Sequence, residues 1–264
     1  PEYNYFGFMR FINGKLYTCG GRGNPERDAC IQVYDKSDGW TVYSNDFAST
    51  LGYKYKGAMC LDVDPKNPNH LVMGAQAGMY EFQDGKLVNA FNIDNSPLQG
   101  AATVSESDKK NYTIVSGIKF DSEGRLWCLN SVAPSASLFE YSDGNWTSHH
   151  KSELMNSNGY SISNMTNIMI DSRDLMWFCS DDWTKVALIC YQPSTDALKL
   201  YSRFINQDGT SLIAEKVSCV QEDLEGNIWI GTAAGPLMLT AADIANGNET
   251  FTQVKVPRND GTNY

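Results

Sequence analysis

The motif Asp-x5-Trp occurs three times, as Asp121 to Trp127, Asp171 to Trp177 and Asp223 to Trp229, at intervals of 50 and 52 residues. A fixed period of this length is the mark of a repeated supersecondary unit, and one such unit cannot bury its apolar face alone. Toward the N-terminus, Tyr17 and Val72 hold an apolar residue at the same phase, 55 residues apart and with Val72 55 residues before Trp127. The chain therefore reads as five copies of one unit.

Each copy has the pattern of an antiparallel meander. In the third, residues 115–121 alternate apolar and polar, Ser122, Glu123 and Gly124 supply a turn, and residues 125–130 form a second strand carrying Trp127. Residues 137–142 and 146–150 give two more strands around Asp143-Gly144, a strong short hairpin signal. The first copy repeats this order at residues 6–12, 15–21, 31–36 and 40–45, with hairpin turns at Asn13-Gly14 and Ser37-Asp38-Gly39. Four-stranded units of this length predict an all-β fold, a β-propeller built of four-stranded antiparallel blades. The blades fall at about residues 5–45, 57–93, 114–150, 163–204 and 216–256 of a single 1–264 segment. The chain enters directly in a first strand and leaves after a fourth, so we expect an excerpt of a larger propeller array.

The repeated residues have packing roles first. An aromatic on the second strand fills the space between successive blades, with a transfer free energy on the order of 1.5–3 kcal/mol, which predicts inter-blade core positions for Trp127, Trp177 and Trp229. The Asp caps the turn through its own backbone, and the Gly supplies a positive φ. The fourth copy departs from this pattern, with Asp174 where the turn Gly is expected.

Composition narrows the function. A formal net charge of −10 argues against a nucleic-acid partner, since phosphate binding needs a basic surface, and against an acidic membrane surface for the same reason. No apolar run of eighteen residues is present, so no membrane insertion is expected of this segment. The seven cysteines are odd in number and lack Cys-x-x-Cys spacing, so neither a full disulfide framework nor a zinc site is indicated. Cys60 and Cys219 each stand four residues before the turn Asp, and Cys19, Cys128 and Cys179 sit on second strands just past the aromatic, equivalent positions that read as small core thiols. No cofactor and no metal ligand set is implied.

Catalysis needs a nucleophile with a base, or an acid and a base with displaced pKa values. The only imidazoles are His70, His149 and His150. They read as surface or strand-end residues, His70 opening a second strand beside the turn and His149 and His150 pointing to opposite sides of one strand. Ligand binding is expected instead on the loops between second and third strands. Two of these are long, charged or aromatic, and the candidate binding residues are Arg22, Arg27, Asp181, Asp182, Trp183 and Lys185. An exposed Trp offers a stacking platform for a sugar or peptide, and the charges fix polar groups. The alternative reading makes Asp181 and Asp182 turn caps and Trp183 a cover for a blade edge. A paired-carboxylate glycosidase would have only Asp181, Asp182 and Glu26 to draw on.

Residues 217–223 followed by Gly226-Asn-Ile-Trp-Ile-Gly-Thr232 resemble the propeller repeat of two-component regulator sensors. From about residue 60 onward the order Asp64-Pro-Lys-Asn-Pro-Asn-His70, Gly78-Met-Tyr-Glu-Phe82, Asp84-Gly85 and Asn95-Ser-Pro-Leu98 is similar to the propeller family associated with the Bacteroidetes Por (type IX) secretion system. Asp121 to Asn130 and Asp143-Gly-Asn-Trp146 fit the same family. Its members are cell-envelope proteins with consecutive propellers and a C-terminal sandwich. The resemblance implies a non-enzymatic binding or docking scaffold in the periplasm or at the surface of a Gram-negative bacterium. Its partners would be a protein or a surface glycan, together with propeller blades or domains outside this segment. The alternative it leaves open is a ligand-sensing ectodomain of a two-component regulator, for an oligosaccharide or similar ligand. A polysaccharide-cleaving propeller enzyme is the further alternative.

Overall fold

The computed structural model describes residues 5–21 and 27–255. The chain divides into two compact units, Pro1–Met165 and Thr166–Tyr264.

The first unit holds three antiparallel meanders. The first is β1 (Phe8–Ile12), β2 (Lys15–Gly20), β3 (Cys30–Asp35) and β4 (Gly39–Val42). The second is β5 (Ala58–Val63), β6 (His70–Ala75), β7 (Gly78–Gln83) and β8 (Lys86–Phe91). The third is β9 (Val115–Phe120), β10 (Leu126–Asn130), β11 (Leu138–Ser142) and β12 (Asn145–Ser148). In the first and third sheets these strands coincide with the expected ones to within three residues. The turns carry the predicted chemistry, with φ of +49° and +79° at Asn13 and Gly14 and +50° and +80° at Asp143 and Gly144. Both central residues lie in the left-handed region that a type I′ hairpin demands.

Alternation along each strand sends one set of side chains toward the next sheet. Tyr17, Ile31 and Val33 of the first sheet pack with Leu61, Leu71 and Met73 of the second. The second sheet's Val72, Met79 and Phe91 in turn pack with Ile118, Leu126 and Phe139 of the third. The first strands of all three sheets are also tied by charge. Asp62 on β5 is 1% exposed at its side chain and pairs with Arg10 Nη1 of β1 at 2.7 Å and Lys119 Nζ of β9 at 3.1 Å. Its second oxygen also accepts the backbone N–H of Phe120 at 2.9 Å. A buried carboxylate held this way has each oxygen occupied, which offsets its desolvation.

In the second unit the fourth sheet is β13 (Met165–Ile170), β14 (Met176–Ser180), β15 (Ala187–Gln192) and β16 (Ala197–Tyr201). The fifth departs from the repeat. A hairpin of β17 (Arg203–Asn206) and β18 (Ser211–Ile213) precedes β19 (Val217–Glu222), β20 (Ile228–Thr232), β21 (Gly235–Leu239) and β22 (Thr250–Gln253). β17 pairs in parallel with β22, so the sheet has six strands rather than four. A one-and-a-half-turn helix, α1 (Ala241–Asn246), stands where the other sheets have a short turn between third and fourth strands.

Trp127 and Trp177 are buried, each 1% exposed, and Trp177 joins the cluster shared by the fourth and fifth sheets, whereas Trp229 is 36% exposed. The face of β20 that carries Trp229 is only partly covered. Ile228 and Ile230 enter the cluster shared with Trp177, Leu188 and Val217, which turns Trp229 to the opposite face. The cysteines divide the same way: six are buried and Cys219, on β19, is exposed. Burial pushes the thiols of Cys60 and Cys190 up to about 12, so both are protonated and unreactive.

Candidate functional site

The loop between β14 and β15 gathers four of the predicted site residues. Asp182 is 2% exposed and is the anchor of the loop. Its Oδ1 accepts the Thr184 backbone N–H at 2.8 Å and the Thr184 hydroxyl at 2.7 Å, and its carbonyl accepts the Lys185 N–H at 2.8 Å. The Ser180 hydroxyl donates to the Lys185 carbonyl at 2.6 Å, closing the loop from the other side. Asp182 is thus the turn cap that the alternative reading anticipated, and its carboxylate is committed to the loop. Asp181 faces outward, 3.7 Å from Lys216 Nζ. Trp183 stands at the tip, 89% exposed. The indole thus projects from a turn closed by hydrogen bonds at its base, next to Asp181 in the chain. That arrangement suits stacking against a flat apolar face with polar groups at its edge.

The other two predicted residues belong to the first sheet. Arg27 is exposed, with its guanidinium 4.7 Å from the centre of the Tyr5 ring and its N–H on the Gly21 carbonyl. Arg22 lies outside the described residues, as does Glu26, the third carboxylate a glycosidase reading would need.

One cluster was missed by sequence reasoning. His70, expected at a strand end on the surface, lies between two carboxylates, with Nδ1 3.0 Å from Asp64 Oδ2 and Nε2 2.7 Å from Glu81 Oε1. Asn89 Nδ2 donates to Glu81 Oε2 at 2.8 Å, and the Lys66 N–H donates to Asp64 Oδ1 at 2.8 Å. The hydrogen bond that Glu81 accepts from the His70 ring raises the His70 pKa, and the same bond lowers that of Glu81. The cluster lines a cleft of about 240 Å³ floored by Val72, Met79 and Phe120. A signal existed in the spacing Asp64-x5-His70, which equals the Asp-x5-Trp spacing. In both cases a ring nitrogen six residues on meets the turn carboxylate. The remaining histidines are also engaged. His149 lies over Trp127 with ring centres 5.0 Å apart, and His150 Nδ1 is 3.1 Å from the Ser137 hydroxyl.

Successive four-stranded meanders packed face to face through alternate side chains are blades of a β-propeller, and this is the fold of the chain. No protein-family model matches the sequence, and a search of curated proteins returns no match. Solved structures share the fold. PorZ, a bacterial surface component of the type-IX secretion system of Porphyromonas gingivalis, is similar over 97% of this chain with a TM-score of 0.81 and 21% identity. The chain spans 35% of that structure, about a third of its length. The extracellular domain of BT4673, described as a hybrid two-component system of B. thetaiotaomicron, gives a TM-score of 0.58 at 13% identity, covering 98% of this chain and 32% of that one. Virginiamycin B lyase from Staphylococcus aureus gives 0.59 at 13% identity, covering 96% and 70%. At these identities the likeness is one of fold, and the fold accommodates both enzymes and non-enzymes.

Proposed function

We propose that this chain is a docking section of a cell-envelope propeller protein, working by binding rather than catalysis and associated with secretion in a Gram-negative bacterium. The observation that carries the reading is the similarity in fold to the secretion component PorZ across 97% of the chain. The loop chemistry supports binding. Asp182, a carboxylate the glycosidase reading would require, is buried and spent on its own turn, whereas Trp183 is offered to solvent. The compartment is extracytoplasmic, periplasm or cell surface, and the partner is a protein or a surface glycan meeting Trp183, Asp181 and Lys185, with Arg27 serving the first sheet's loop.

The test is titration with a panel of polysaccharides and lipopolysaccharide, read by tryptophan fluorescence and repeated with Trp183→Ala. A saturable change lost in the variant supports a glycan site on this loop. A change that persists in Trp183→Ala removes the loop from the reading, and no response to any glycan moves the partner to protein.

A second reading, a ligand-sensing ectodomain of a two-component regulator, draws on the fold similarity to the BT4673 extracellular domain. The full-length reading frame separates the two. A membrane-spanning helix followed by a kinase favours the sensor, and a further propeller with a terminal sandwich favours the secretion component.

A further inference from the structure

The first and third sheets carry the same four residue types in the same row. Phe11, Leu16, Tyr34 and Trp40 stand directly opposite one another across β1 to β4. Phe120, Leu126, Tyr141 and Trp146 do so across β9 to β12. Directly paired residues share a face of their sheet, so each row is one continuous apolar band. The Tyr–Trp pair at its outer end is alike in both, with ring centres 5.3 Å apart in the first sheet and 4.8 Å in the third.

What lies over the two rows differs. In the third sheet the band is packed against the second, and Phe120 is 5% exposed. Phe91, at the end of β8, seats on the Tyr–Trp pair with its ring centre 5.1 Å from that of Tyr141 and 5.5 Å from that of Trp146. An aromatic ring at the end of an outer strand makes the same kind of contact at the other seams within the two units. Tyr43, just past β4, meets Phe82 of the second sheet at 5.7 Å, and Tyr201, at the end of β16, meets Phe251 of the fifth at 5.6 Å. In the first sheet the band is open. Phe11 is 72% exposed, and Tyr34 and Trp40 are exposed as well. The Phe6 ring leans on Trp40 at 6.2 Å and is itself exposed.

We infer that this face of the first sheet is a docking surface for one further four-stranded sheet of the same repeat, supplied by the protein outside residues 1–264, whose fourth strand ends in an aromatic residue that seats on Tyr34 and Trp40. The third sheet identifies the occupant, because there the same four residue types in the same row are covered by such a sheet and such a ring. An apolar band left exposed across four strands marks an interaction site. Length agrees, since propellers of this fold run longer than this chain, which spans 35% of the PorZ structure and 70% of the virginiamycin B lyase. The inference does not rest on what the Trp183 loop binds.

The experiment reads thiol labelling at Met9→Cys, two residues before Phe11 on the same face of β1, in a Cys219→Ser background that removes the exposed native thiol. Met9 is itself exposed, so the replacement leaves the core intact. A polyethylene-glycol maleimide is reacted with the 264-residue chain and with the protein encoded by the full reading frame. Labelling of the full-length protein is expected to be slower by roughly tenfold or more, because the thiol reacts only when the covering sheet opens. Ser157→Cys, in an exposed turn, is expected to label at equal rates in both. Adding Trp40→Ala to the full-length Met9→Cys protein is expected to raise its rate several-fold. A photo-crosslinking p-benzoylphenylalanine at position 40 is expected to join an aromatic-bearing strand of the same chain outside residues 1–264. Equal Met9→Cys rates in the two proteins overturn the proposal. Protection of the 264-residue chain that grows with its own concentration, or a cross-link to another chain, gives the face to a second copy or a different protein and overturns it as well.

Discussion

The indole N–H of Trp127 donates to Asp121 Oδ2 at 3.0 Å, while the other oxygen of the same carboxylate accepts the backbone N–H groups of Glu123 and Arg125 at 3.0 and 2.9 Å. The arrangement recurs at Asp171 and Trp177 and at Asp223 and Trp229, with indole bonds of 3.0 and 2.8 Å. One carboxylate therefore closes the hairpin turn and satisfies the indole N–H, which is buried at Trp127 and Trp177. This explains why the two residues repeat together at a fixed spacing.

Replacing Asp121 with Ala strands a buried indole N–H and opens the turn. A loss of roughly 2–4 kcal/mol is expected, since an unsatisfied buried donor alone costs about 1–3 kcal/mol. Asp223→Ala is expected to cost clearly less, because Trp229 is partly exposed to water. Urea denaturation of the two variants side by side measures the difference.

Asp62→Ala leaves Arg10, Lys119 and the Phe120 N–H without the carboxylate they share. Removing one partner of a buried ion pair costs about 3–5 kcal/mol, and the partial exposure of the two cations places this site at or below the lower end. The expected outcome is a lowered melting temperature, with Asp62→Asn intermediate because it keeps an acceptor for the Phe120 N–H.

His70 gives the first unit a pH dependence. Its folded pKa lies above 6.5, so its contribution is complete below that value and is lost as pH rises through the folded pKa. Glu81 is lowered from 4.5, so its contribution is present above 4.5 and is lost as pH falls through the depressed value. The pair stabilises most between these limits. Unfolding measured across pH should show a decline above 6.5 that disappears in His70→Gln.

Asp174 sits at φ +61° in the turn position that Gly124 and Gly226 occupy at +79° and +80°. A side chain there is strained, and Asp174→Gly relieves it without disturbing any buried contact. The variant is expected to be more stable by about 0.5–1 kcal/mol, as read by thermal unfolding.

Neighbouring residues of one loop should separate structure from recognition. Asp182→Ala removes a buried cap and is expected to cost about 1–2 kcal/mol, while Trp183→Ala should shift stability by no more than about 0.5 kcal/mol. Thermal melts of both variants test this.

Local order and repetition alone determined the blades. Period-2 alternation, Asn-Gly and Asp-Gly turns and the Asp-x5-Trp spacing are signals carried within a few residues, and the strands they predicted in the first and third copies were found nearly in place. Tertiary packing decided what has no local signature. The β17–β18 hairpin joins its sheet only because β22 offers a parallel edge, 45 residues further along the chain between Ile205 and Thr250. Trp229 repeats the motif of Trp177, yet it is exposed because burial depends on what covers a face and not on the residue that occupies it. His70 became a clamp for the same reason: Glu81 reaches its Nε2 only once β6 and β7 are paired, and Asp182 became a cap only once its loop had closed.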